Sequence, residues 1–126
     1  MLKDAPVAPV IPSTNLARSR TFFEETLGLA VIDSPMHDPL LFAAGNGTTL
    51  AVYYRAAGNK AEHTQVGFTV DNLDEVMKGL EAKGVVFEDY PDIPGFDTTT
   101  HTLSYSSGKS AWFKDPDGNI FAINQM

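Results

Sequence analysis

The sequence predicts an α+β fold made of two βαβββ units in tandem, and two observations carry that prediction. Ala111–Met126, AWFKDPDGNIFAINQM, reads as strand, turn and strand, and Ala43–Tyr54, AAGNGTTLAVYY, repeats the layout around a Gly-rich turn. The helix starts Asn15-Leu16 and Asn72-Leu73 are 57 residues apart, and the helix-stopping glycines Gly28 and Gly84 are 56 apart. The turn glycines Gly47 and Gly118 stand 71 apart, so the second unit carries about fifteen extra residues (71 less 56), within Asp92–Gly108. Half of this chain alone has too small a core to stand, so a repeat of this kind marks a duplicated unit. The expected organisation is one domain over 1–126, with repeat one about 5–55 and repeat two about 62–126.

Each element has a local reason. Val7–Pro12, VAPVIP, reads as a first strand whose prolines suit an edge. Asn15 can cap a helix over Leu16–Leu27, with Gly28 as its stop. Leu16, Phe23 and Leu27 fall on one stripe, with Ser19 between them. Leu29–Asp33 is a second strand and Ser34–Pro39 a loop. Leu40–Ala44 and Thr49–Arg55 form a hairpin about Gly45-Asn46-Gly47. After a polar linker, Thr64–Val70 opens the second round. Asp71 or Asn72 caps a helix whose Leu73, Val76, Met77 and Leu80 have helical spacing, and Gly84 ends it. Val85–Glu88 is a strand. Ser110–Lys114 and Asn119–Asn124 form the closing hairpin. There, Pro116 presets φ for a type I turn and Gly118 supplies the positive-φ residue after it.

Composition narrows the function. The chain has 126 residues, 43% hydrophobic and 20% charged, the balance of an ordinary globular protein. A net charge of −7 repels phosphates and argues against nucleic acid. Such acidity keeps a protein in solution and also suits a cationic small molecule. With no cysteine, thiolate nucleophiles, disulfides and Cys-held metals are excluded. Neither a signal-peptide layout nor a run long enough to cross a bilayer is present, so the cytoplasm is expected and no membrane partner.

The two βαβββ units and the turn Phe113-Lys114-Asp115-Pro116-Asp117-Gly118-Asn119 resemble the vicinal oxygen chelate superfamily. That group includes glyoxalase I, bleomycin-resistance proteins and extradiol dioxygenases. Leu27-Gly28-Leu29 and Val70-Asp71-Asn72-Leu73 are also typical of it. The resemblance implies a curved mixed sheet in each unit with helices outside, a concave ligand pocket and a homodimer. It also implies a divalent metal held by His or Gln and Glu from four strand positions. Those positions are Ala8, Gln65, Ala51 and Ala122 here. Three of the four offer only a methyl group, so no metal and no other cofactor is expected.

Alternation along the strands proposes the pocket lining: Thr49 and Tyr53 beside Ala51, Gln65 and Thr69 with Gly67, and Ile120 and Asn124 beside Ala122. Trp112 either joins this lining or fills the core. His37 is read as an exposed loop residue and His63 as a linker histidine, with Glu62 beside it. His101 lies in the 92–108 insert among Thr98, Thr99, Thr100, Thr102, Ser104 and Tyr105. The insert is either a polar surface excursion or a lid over the pocket mouth, where His101 contacts ligand or acts as an acid/base. The leading reading is metal-independent binding of a small apolar or aromatic molecule by Gln65, Tyr53, Trp112, Thr49, Thr69 and Asn124. Sequestration is one such role. The alternatives are a metal-dependent lyase, isomerase or dioxygenase with displaced ligands His101, His63 and Glu62, and a metal-free enzyme using His101 with Gln65.

Overall fold

A computed structural model describes residues 1–33 and 37–126; part of the predicted Ser34–Pro39 loop thus lies outside the described residues. The chain forms two compact units, Met1–Lys60 and Ala61–Met126. Each is a curved mixed sheet with one principal helix packed on it.

The first unit contains β1 (Val10–Ser13), α1 (Leu16–Thr21), β2 (Ala30–Ile32), β3 (Leu40–Ala43) and β4 (Thr49–Tyr54). The Asn15 side chain accepts from the Arg18 amide at 3.1 Å and caps α1. The helix widens into a π turn over Phe22–Thr26 and ends at Gly28, whose φ is +77°. There the Leu29 amide reaches back to the Phe23 carbonyl at 2.9 Å, satisfying one of the last free carbonyls. The sheet order is β1-β4-β3-β2, with β1 parallel to β4. β1 is an edge, as its prolines require. It begins at Val10 and not Val7, although the Pro9 carbonyl still accepts from the Ala51 amide. Phe23 packs on Phe42, and Ile11, Leu50 and Val52 share that face, all nearly or fully buried. Ser13 and Ser19 are fully buried too, and satisfy each other through a 2.6 Å hydroxyl bond.

The second unit contains β5 (Thr64–Val70), α2 (Leu73–Ala82), β6 (Phe96–Asp97), β7 (Thr102–Tyr105), β8 (Gly108–Lys114) and β9 (Ile120–Gln125). Asn72, not Asp71, caps α2 through the Glu75 amide. The Gln125 side chain accepts from the Leu73 amide at 2.7 Å and ties the helix start to β9. The order is β5-β9-β8-β7-β6. Phe113 and Phe121 stack at 5.2 Å, with Phe68 and Phe87 against them, making the aromatic half of the core.

Two expectations need correction here. Val85–Glu88 is not a full strand. Phe87 makes a single bridge to Phe113, and the Glu88 amide bonds the Trp112 carbonyl at 2.8 Å. The 92–108 insert, read as a loop, supplies β6 and β7. β7 pairs with the first half of β8, through Leu103↔Ser110 to Tyr105↔Gly108, and the Phe87–Glu88 segment pairs with the second half. Two short pieces thus share the edge of β8. Thr98, Thr99 and Thr100 form the turn between β6 and β7, and Thr102 opens β7.

Candidate functional site

The DPDGN turn builds one end of the site. Asp115 Oδ1 accepts from the amides of Asp117 at 3.0 Å and Asn119 at 2.8 Å, and Oδ2 accepts from Asn119 Nδ2 at 2.8 Å. Asn119 Oδ1 accepts from Gln65 Nε2 at 2.9 Å, and Gln65 Oε1 accepts from the Ile120 amide at 2.9 Å. The sense of this chain is fixed at both ends, because a carboxylate only accepts and a backbone amide only donates. Asn119 is fully buried and Asp115 is 5% exposed. Burial pushes the Asp115 carboxyl above the usual range, and the Asn119 and Asp117 bonds pull against that. Gln65 sits where the β5–β9 register shifts, between Thr64 and Val66, so its amide fills the irregularity it creates.

Register then assigns the open face of the second sheet, opposite the Phe113–Phe121 face. Trp112 pairs with Ala122, Ser110 with Asn124, Gly67 with Ala122, and Thr69 with Asn124. Trp112, Thr69 and Asn124 therefore share one face, and Trp112 stands on it and not in the core. Thr49 and Tyr53 lie on the matching face of the first sheet with Ala51, Thr49 half-buried and Tyr53 exposed. Trp112 Nε1 donates to Thr64 Oγ1 at 3.1 Å, which lays the indole across β9. Tyr90 meets it edge-on at 5.6 Å, and Phe96 braces Tyr90 at 6.0 Å. A cavity of about 310 Å³ opens at this corner, lined by Trp112, Tyr90, Ile93, Ile120, Thr64, His63 and Glu62. Burial, then the negative Glu88, raises the Tyr90 phenol, so Tyr90 is neutral and serves as a wall.

Sequence reading missed Tyr90 and Ile93, since nothing local marks them. Their place depends on the Glu88–Trp112 pairing that brings segment 88–93 to β8. His63 and Glu62 line this cavity although they read as linker residues. His37 is exposed, and it lines a separate cavity of about 270 Å³ with Arg20, Val31, Ile32, Asp33, Pro39 and Leu40. His101 lines neither cavity. It sits at the β6–β7 turn with φ +60°, and its Nδ1 lies 2.7 Å from Asp89 Oδ1.

The residues at the four expected metal positions do not fit a metal. Ala51 and Ala122 are buried methyl groups, Ala8 is an exposed one outside β1, and Gln65 Oε1 is already bonded to Ile120. Among the described residues, no group of three or more His, Asp or Glu is placed to hold a metal ion. Also among them, no helix is long and apolar enough to cross a membrane.

The sequence profile of the Glyoxalase/Bleomycin resistance protein/Dioxygenase superfamily matches residues 6–123. The chain belongs to this superfamily. No curated protein matches it. Solved structures with the same fold include TnmS3, an antibiotic-binding protein from Streptomyces sp. CB03234, at 22% identity and TM-score 0.73, covering 99% of this chain and 98% of that one. A superfamily member from Sphaerobacter thermophilus shares 20% identity at TM-score 0.72, with all of both chains covered. FosX, a fosfomycin resistance protein from Listeria monocytogenes, shares 16% at TM-score 0.71, covering 98% and 93%. Identities this low carry the fold and no activity.

Proposed function

We propose that this superfamily member binds a small apolar or aromatic molecule against Trp112 without a metal, and holds it without transforming it. The observation that carries this reading is the corner made by Trp112 and Tyr90, two perpendicular rings walling a cavity of about 310 Å³. That volume lies at the small end of the range for organic ligands, and its lining is aromatic and aliphatic with few polar groups. The methyl groups at positions 8, 51 and 122 support the metal-independent part. In this reading Gln65 shapes the site by holding Ile120, Thr69 and Asn124 supply polar contacts, and Thr49 and Tyr53 occupy the equivalent face of the first unit. The antibiotic-binding description of TnmS3 is consistent with sequestration. A homodimer, implied by the superfamily, belongs to the same proposal. Light scattering then gives twice the chain mass of 13.7 kDa.

The test is equilibrium dialysis of 2-ethylnaphthalene against the full chain, with and without EDTA, and against Trp112→Ala. Binding survives EDTA, the compound is recovered unchanged, and Trp112→Ala weakens affinity about tenfold, the loss of one good aromatic contact. No binding by the native chain overturns the proposal. So does binding that disappears on chelation.

A further inference from the structure

Beyond Trp112, the open face of the second sheet carries a chain of polar groups that the binding of an apolar body leaves unused. Tyr105 Oη lies 2.7 Å from Ser110 Oγ, and Ser110 Oγ donates to Asn124 Oδ1 at 2.6 Å. Ser110 has one proton, which goes to Asn124, so it receives the Tyr105 proton in return. Ser110 is 3% exposed and Tyr105 40%, so the chain runs from solvent through a buried hydroxyl to a half-buried amide. It fixes the Asn124 amide with its oxygen toward Ser110 and its nitrogen toward β5.

What Nδ2 faces there is Gly67. A Cβ on Gly67 would stand 3.4 Å from Asn124 Nδ2, in ordinary side-chain contact with it. Glycine leaves that position open and exposed, and among the described residues no polar contact engages Asn124 Nδ2. Gly67 also pairs with Ala122, and Ala122 pairs with Trp112. Ala122 is covered, at 5% exposed, and Gly67 is the exposed small residue beside the amide. Trp112 and Asn124 are diagonal neighbours across β8 and β9, about 7–8 Å apart at the backbone.

We propose that the ligand held against Trp112 is an aromatic molecule bearing an oxygen acceptor, a ketone or similar carbonyl, and that Asn124 Nδ2 reads that oxygen over Gly67. Tyr105 and Ser110 are positioning residues: they orient the amide and polarise it through successive hydrogen bonds, without touching the ligand. The proposal rests on the aromatic-site reading above and adds to it the chemical class of the ligand.

The test compares 2-acetylnaphthalene with 2-ethylnaphthalene, which match in shape and differ by one carbonyl oxygen, in equilibrium dialysis with the full chain. The native chain binds the ketone about fivefold more tightly, the worth of one neutral hydrogen bond. Asn124→Asp keeps an acceptor for Ser110 and replaces the donor with an oxygen. It abolishes or reverses the preference for the ketone. Tyr105→Phe and Ser110→Ala each lower the preference to about twofold, which a purely structural role would not do because both compounds would weaken together. Equal native affinity for the two compounds overturns the acceptor inference and leaves the aromatic site standing. So does a ketone preference that Asn124→Asp does not alter. Failure of both compounds to bind overturns the aromatic site, and this inference with it.

Discussion

Replacing Asn119 by Leu tests whether the turn, and with it the register of β5 on β9, is held by the directional chain from Asp115 to Ile120. The side chains are close in volume, so the substitution removes hydrogen bonds more than packing. It deletes the 2.8 Å bond from Nδ2 to the Asp115 carboxylate and the 2.9 Å bond from Gln65 Nε2 to Oδ1. A bond to a charged group contributes about 1.5–3 kcal/mol and a neutral one about 0.5–1.5. Burial of both Asn119 and Asp115 places the loss toward the upper part of the sum, about 4 kcal/mol. That is a large share of the total stability of a small domain. Urea denaturation followed by Trp112 fluorescence and by circular dichroism reads it as a shift in midpoint at constant slope. Gln65→Leu alone costs about 1–2 kcal/mol, and the double variant costs about 1 kcal/mol less than the sum, because both singles break the shared bond. A loss below about 1 kcal/mol for Asn119→Leu, or strict additivity, would refute the chain as a unit.

Three other outcomes follow from the same structure. Asp115 titrates above the usual aspartate range by carboxyl NMR. Native protein then holds this proton more tightly than unfolded chain, so the site's contribution to stability falls as pH rises from the unfolded to the folded value and is level above it; an inflection below the usual range contradicts this. Gly108→Ala destabilises by about 3 kcal/mol or more in thermal melts, because a Cβ there would stand 1.8 Å from the Gln125 carbonyl oxygen, and backbone must move. Asp74→Asn changes stability by less than about 0.5 kcal/mol despite its 2.8 Å contact with Lys109 Nζ, since Asp74 is 69% exposed; a larger loss would show that the pair is shielded from water.

How legible the molecule was in its sequence differed by element. The helix starts were readable because Asn15 and Asn72 act on their own next turn, and the closing hairpin because DPDGN sets its own φ angles and bonds. The face of Trp112 followed from alternation once β8 and β9 were in register. What escaped was non-local. Phe87 and Glu88 stop pairing after one bridge because β7 takes the rest of the β8 edge, and no pattern within 85–88 encodes that competition. The insert hid its strands for a related reason: Phe96–Asp97 and Thr102–Tyr105 are short pieces that pair once β8 offers its edge to β7. Tyr90 then could not be found, since it reaches Trp112 through that same pairing. Gln65 was seen as a ligand-facing residue because alternation gives the direction of a side chain but not which partner meets it first.

The engagement of Gln65 has a consequence for redesign. Its amide is held on both sides, by the Asn119 side chain and by the Ile120 backbone, and both partners stand where β9 begins. A substitution at 65 therefore acts on the turn as well as on the face where its side chain stands. A library that varies 65 to alter binding should diversify 115–120 with it, so that each new side chain meets a turn able to seat the start of β9.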